Sequence, residues 1–274
     1  MTYATILVNL EAGRSNTHLL EAARQVADRF QAKVIGSTAC SPIQVLYGDG
    51  YAYGDIFEQD NKEIEREINV AEAEFHDAFG NRSCALDWRS AVLSTSLSDH
   101  LSQEASRADL VLTHADTASF NIARQVNTGD LVMQAGRPVL VVAPGTAPFR
   151  MERFVIGWKN TREARRAVTD ALPMLKKASQ VDIVEIAAQE DLAAARDRLD
   201  DVVGWLARHG VAATAYARLA DGDDSVWFDS MVAERDADIV VAGAYGHSRV
   251  REWALGGVTR TLLKHAVRSS LLSH

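Results

Sequence analysis

Residues 237–259 read ADIVVAGAYGHSRVREWALGGVT. The first part is a short apolar run of the length expected of a buried strand, and it stops at Gly243. Two residues separate Gly243 from Gly246, nine separate Gly246 from Gly256, and Gly257 follows at once. Glycine at such points allows a positive φ and lets another group approach the main chain. Residues 108–130, ADLVLTHADTASFNIARQVNTGD, begin in the same way but lack the corresponding glycines.

Placing ADLVLTHA over ADIVVAGA extends outward into a repeat of the whole chain. The first copy runs through the strand ATILVNL and a helix over 15–30 with Leu19, Leu20, Ala23, Val26, Ala27 and Phe30 on one face. It continues through KVIGSTA, a helix over 60–79, ALDWRSAV, a helix over 96–105, ADLVLTHA and PVLVVAP. The second copy runs through RFVIGW, a helix capped by Thr161 with a kink expected at Pro173, and then QVDIVEIA. A helix through Leu192, Leu199, Val202 and Leu206 follows, then VAATAYARL, a helix near Met231, ADIVVAGA and SSLLSH.

Strands alternating with helices predict an α/β protein with parallel sheets flanked by helices. Two units are expected, 1–146 and 151–274, with the boundary between Pro144 and Arg153. Each is expected to be an open five-stranded sheet, touching the other through PVLVVAP and SSLLSH because an edge strand would otherwise be exposed. TILVNL is placed over FVIGWK.

With 274 residues, 47% hydrophobic and 24% charged, the chain can build a large core. A net charge of -8 argues against general nucleic-acid binding, which needs clustered positive charge. Cys40 and Cys84 have no metal-like spacing and predict no disulfide, so the cytosol is the expected compartment. The N-terminal run reads as a strand, and no stretch reaches the roughly eighteen apolar residues of a membrane span.

Open parallel sheets bind ligands beyond the carboxyl ends of their strands, beside helix N-termini. Gly243 and Gly246, with Gly256 and Gly257 before the expected helix VTRTLLKHA, could form a nest for a polyphosphate. This pattern, GAYG, nine residues, then GGVT, resembles the ATP-binding signature G-x2-G-x9-G-[S/T] of the universal stress protein family. The resemblance extends to a tandem member of that family and implies a Rossmann-like α/β unit in each half. It implies ATP or a related nucleotide, with Mg2+, in the second half.

On that resemblance Gly243 and Gly246 line the ribose and phosphate path, and Gly256, Gly257, Val258 and Thr259 hold the phosphates. Gly157, Trp158 and Lys159 come from the first strand of the half, and His247 and Ser248 follow the turning glycine as candidate phosphate contacts. Gly257 stands where the family has Ser or Thr, and Lys159 where many nucleotide-binding members have an acid. Arg249 and Arg251 read as a solvated face, with Arg260 and Lys264 adding positive charge nearby.

The first half places His114 at the position of Gly243, Thr117 at that of Gly246, and Asp116 at the phosphate entrance. Gln125, Val126 and Asn127 replace the glycine run, so this half is expected to keep the fold without the ligand. The acidic stretch Asp221–Ser225 reads as a helix cap, and His100, His209 and His265 as ordinary helix residues. GDGYAYG, with Tyr47, Tyr51 and Tyr53, reads as a loop over the first half.

No Walker A loop, G-x-S-x-G elbow or SGG-type pyrophosphatase loop is present, and no catalytic residue is assigned. The expected protein is a nucleotide-binding regulatory or protective module of the stress response, with pairing of its halves and a homodimer as further expectations. The alternatives are an interaction protein of the same fold that binds no nucleotide, and a slow ATPase or self-phosphorylating protein.

Overall fold

The computed structural model describes residues 2–43, 53–80, 85–116, 122–145, 148–220, 224–244 and 268–274. Its strands are β1 (Thr5–Asn9), β2 (Lys33–Cys40), β3 (Leu86–Val92), β4 (Leu110–His114) and β5 (Val139–Val142), then β6 (Arg153–Gly157), β7 (Gln180–Ala187), β8 (Thr214–Leu219), β9 (Ile239–Gly243) and β10 (Ser269–Ser273). The helices are α1 (Thr17–Phe30), α2 (Tyr53–Phe79), α3 (Leu97–Glu104), α4 (Thr128–Gln134), α5 (Arg162–Leu175), α6 (Leu192–Arg208) and α7 (Asp224–Glu234). The α/β alternation and the internal repeat are those expected from the apolar periodicity.

The strands run β3-β2-β1-β4-β5-β10-β9-β6-β7-β8 in one ten-stranded sheet. Read outward from the centre, both halves have the same order. The expectation of two separate five-stranded sheets is thereby corrected: β5 and β10 meet as expected, but through main-chain pairing that merges the sheets. Leu140 faces Leu271, Val139 faces Leu272 and Val141 faces Ser270, all antiparallel. Two edge strands that would each leave a row of unpaired amides and carbonyls satisfy one another.

This seam has a local twofold. The registers of β4 on β5 and of β9 on β10 make Leu140 and Leu271 counterparts, and these two residues face each other across the axis. Because every pairing within a half is parallel while the seam is antiparallel, the carboxyl ends of the two halves' strands point to opposite edges of the sheet. The two crevices therefore lie far apart, at opposite edges.

Strand residues alternate between two apolar layers, as the pleat requires. Ile6, Val8, Leu140, Phe154, Ile156 and Leu271 pack with α1, α2, α5 and α6, whereas Leu7, Val139, Val141, Val155 and Leu272 pack with α3, α4 and α7. Each layer continues across the seam. On the first face the Tyr3 hydroxyl donates to the Asp170 carbonyl (2.6 Å), and Arg29 pairs with Glu152 (2.6 Å).

Thr161 caps α5 as expected, its hydroxyl accepting from the Ala164 amide (3.3 Å), and Pro173 lies in the last turn of that helix. Helix α2 starts at Tyr53, not near Asp60, so Tyr53 is helical and not part of a loop. Tyr47, Tyr51, Cys84, His265 and the acidic residues 221–223 lie outside the described residues.

Candidate functional site

In each half the chain leaves its first strand for one neighbour and later returns on the other side, so β1/β4 and β6/β9 flank the points where strand order reverses. The carboxyl ends of these pairs define a crevice. The register also corrects the overlay of the two first strands. Ile6 pairs with Leu110 and Phe154 with Ile239, and Leu110 and Ile239 are counterparts, so the overlay shifts by one residue. Asn9 matches Gly157, Leu10 matches Trp158, and Glu11 matches Lys159. The acid sought after the first strand is present, but in the half that lacks the glycines.

In the second half Gly157, Trp158, Lys159 and Gly243 come together at the β6/β9 crevice. A Cβ on Gly243 would lie 2.4 Å from the Ala164 amide nitrogen and 2.5 Å from the Glu163 carbonyl carbon. The missing side chain thus lets the start of α5 pack directly on β9, whatever the crevice holds. A Cβ on Gly157 would meet the Phe228 ring at 3.1 Å.

Trp158 continues the ladder by donating its amide to the Val184 carbonyl (2.8 Å), and its ring joins the core on the α5 side. Its buried indole N–H has no partner among the described residues. Lys159 is exposed and ion-paired to none of the described residues. Only residues 158–161 connect β6 to α5. At the start of α5 burial works to raise the Glu163 carboxyl, but amide hydrogen bonding and Arg162 outweigh it and hold it below the usual range. Gly246, His247, Ser248, Gly256, Gly257, Val258 and Thr259, with Arg249, Arg251, Arg260 and Lys264, lie outside the described residues.

The first-half crevice is filled by its own chain. The connection from β1 to α1 spans residues 10–16, three longer than its counterpart, and folds around the fully buried Asn16. Asn16 Oδ1 accepts from the Glu11 amide (2.9 Å) and from His114 Nε2 (3.0 Å), which fixes the proton of that ring on Nε2. Its Nδ2 donates to the carbonyls of Glu11 and Arg14 (both 3.1 Å) and to Glu74 Oε2 (2.9 Å). His114 therefore occupies the space that α5 takes over Gly243, and burial, reinforced by Arg14 and His18, pushes it down to about 3. Glu11 is buried against Arg14 (2.8 Å); burial raises its carboxyl against the pull of that arginine.

Asp116, expected to repel a phosphate, accepts the Thr128 amide (3.2 Å) and so occupies a donor at the start of α4. Val126 is buried, Asn127 caps α4 by accepting the Asp130 amide (2.9 Å), and the buried Gln125 Nε2 has no partner among the described residues. Thr117 lies outside the described residues.

A second closure was not foreseen. Arg124 donates from Nε to Glu67 (2.7 Å), from Nη1 to the Ser41 carbonyl (2.8 Å) and from Nη2 to Asp60 (3.0 Å). Asp60 also accepts the Ile43 amide (2.9 Å), and a Cβ on Gly13 would lie 2.7 Å from Glu67 Oε1. One guanidinium thus ties α2 to the end of β2, while Ile64 packs on Ala12 and Cys40. The one sequence signal was the seven-residue spacing of Asp60 and Glu67, which puts both carboxylates on one face of a helix.

Among the described residues no cluster of His, Cys, Asp or Glu could hold a metal ion, and no helix is long and apolar enough to cross a membrane. What the fold defines is a duplicated α/β protein with a crevice at the strand-order reversal of each half. Neither a protein-family model nor a curated protein matches the sequence. Among solved structures, the chain is similar to a universal stress protein from Archaeoglobus fulgidus DSM 4304, with TM-score 0.70 and 11% identity over 98% of both chains. It is also similar to a functionally unknown protein from Pseudomonas aeruginosa PAO1, with TM-score 0.63 and 14% identity over 99% of this chain and 92% of that one. The fold is that of the universal stress proteins.

Proposed function

We propose that the protein binds ATP or a related nucleotide, with Mg2+, once per chain, in the crevice of the second half, and serves as a regulatory or protective module of the stress response. The supporting observation is the contrast between the crevices. The first holds His114, the Glu11–Arg14 pair and the clasped α2, whereas in the second residues 158–161 alone connect β6 to α5 and Lys159 is exposed. The glycine pattern at Gly246, Gly256 and Gly257 would supply the phosphate nest, with His247, Ser248, Val258 and Thr259 beside it.

Residues 1–146 and 151–274 are read as a duplicated pair in which the first unit supports the second. A homodimer would need a surface other than β5 and β10, since those strands pair with each other. No general base stands in the described part of the crevice, so catalysis beyond slow hydrolysis or self-phosphorylation is not proposed. The compartment remains the expected cytosol.

Native mass spectrometry of the purified protein, followed by titration calorimetry with ATP and Mg2+, tests the reading. One nucleotide per chain is expected. No co-purified nucleotide and no heat of binding would favour an interaction protein of the same fold, for which the buried seam and the departures at Gly257 and Lys159 speak.

A further inference from the structure

Helix α2 is anchored in two unlike ways along its 27 residues. From Ala71 onward it belongs to the main core, with Phe75 and Phe79 fully buried against the sheet. Before that, its apolar anchorage is the small separate cluster in which Ile64 meets Ala12 and Cys40, with Ile68 at its margin. Ile56 and Phe57, nearer the start, are 42% and 40% exposed. Among the described residues the remaining hold on this segment is electrostatic. The Arg124, Asp60 and Glu67 side chains are only 6%, 10% and 15% exposed.

That arrangement is asymmetric. With Arg124 in place, two carboxylates share one guanidinium, and the rest of the charge is met by the Ile43 amide. Without it, two like charges would be left in a poorly hydrated site, and both sit on the segment that has the least apolar anchorage. Removing one partner of a buried ionic group leaves an uncompensated charge, which moves toward water where the structure permits. Here the structure permits it, because local opening follows the distribution of buried apolar contacts.

We propose that the N-terminal part of α2, through Glu67, is a detachable plug in the crevice of the first half, and that Arg124 is its catch. In the closed state its Ile64 packs on Cys40, which is fully buried at the end of β2. Opening swings out the segment carrying Asp60, Ile64 and Glu67 while Ala71, Phe75 and Phe79 stay in place. The device does not depend on whether the second half binds nucleotide.

Cys40 is a reporter built into the site. In full-length protein carrying Cys84→Ser it is the one remaining thiol, and burial pushes it up to about 11, so modification by a disulfide reagent near pH 8 requires opening. Arg124→Gln should label at least tenfold faster than its parent. Adding Asp60→Asn and Glu67→Gln to Arg124→Gln should bring the rate most of the way back, because the stranded charges are gone. Hydrogen exchange should accelerate in residues 56–67 and not in 71–79.

Labelling within twofold of the parent would overturn the proposal, as would acceleration spread evenly over α2 and both halves, which marks general destabilisation. Should Arg124→Gln fail to fold, the parent protein still decides. Residues 56–67 should exchange at least tenfold faster than 71–79 by an opening that also governs Cys40 labelling, and equal protection along α2 would refute the plug.

Discussion

The two crevices are counterparts built on the same strand order, yet they are closed to different degrees by different means. At the end of the fourth strand of each half stands His114 or Gly243. Where the glycine stands, α5 packs with its first turn directly on the strand, and residues 158–161 suffice to reach it. Where the histidine stands, α1 is reached by residues 10–16, and the space between holds a hydrogen-bonded knot around Asn16. The helix after the second strand has 27 residues in the first half and 17 in the second, where Arg198 pairs with Glu185 of β7. The first crevice is thus filled by a hydrogen-bonded set of polar side chains, on a half-sheet with the same strand order as the second.

The sharpest way to break this comparison is to exchange the residues that distinguish the halves. Gly243→Val should destabilise the protein by about 3 kcal/mol or more, because the new side chain has backbone and not a movable side chain in its way. Denaturant melts measure it. A cost below about 1 kcal/mol would mean that α5 can withdraw and that the glycine is there for another reason.

The next effect is one of pH. The folded-state value of His114, about 3, lies below the ordinary 6.5, so between these values the unfolded chain binds the proton that the folded chain refuses. Stability from this residue is complete above the ordinary value and is lost as pH falls toward the folded one. Between pH 7 and pH 5 the loss is about 2 kcal/mol. Glu11, raised by burial, works in the opposite sense over its own range. The difference between wild type and His114→Asn isolates the histidine, and parallel stability curves for the two proteins would contradict the assignment.

Ligand binding sharpens the contrast further. Gly246→Val should weaken nucleotide binding at least tenfold, about 1.4 kcal/mol, whereas Asp116→Ala should leave one site per chain. Calorimetry on both variants reads this directly. A second site in Asp116→Ala would show that the first crevice is held shut by that carboxylate alone.

The smallest expected effect concerns helix starts. Thr161→Ala should cost about 1 kcal/mol, the ordinary value of a lost side-chain cap. Asn16 makes no side-chain cap to α1, yet Asn16→Ala should cost more, because it leaves the His114 ring and the Glu11 amide without a buried partner. The thermal midpoints of the two variants should fall in that order.

Much of this was legible in the residues themselves. The apolar periods located strands and helices, the Thr161 cap was read correctly, and His114 against Gly243 was recognised as the point where the halves part. The length of α2 was missed because GDGYAYG has the composition of a loop, although its last tyrosine opens the helix. The overlay of the first strands slipped by one residue because TILVNL and FVIGWK are apolar nearly throughout. A strand buried on both faces carries little alternation to fix its register.

The sequence by itself determined the α/β class, the internal repeat and the difference in glycine content between the two crevices, since these follow from local periodicity and from what a missing Cβ permits. Tertiary structure alone decided that the two sheets merge through β5 and β10, that Glu11 is the counterpart of Lys159 in the other half, that Gly243 serves the packing of α5, and that Arg124 clasps α2. Each of these depends on residues brought together from far apart in the chain. Arg124 meets Asp60 across 64 positions and Glu67 across 57, and no local period records such a meeting.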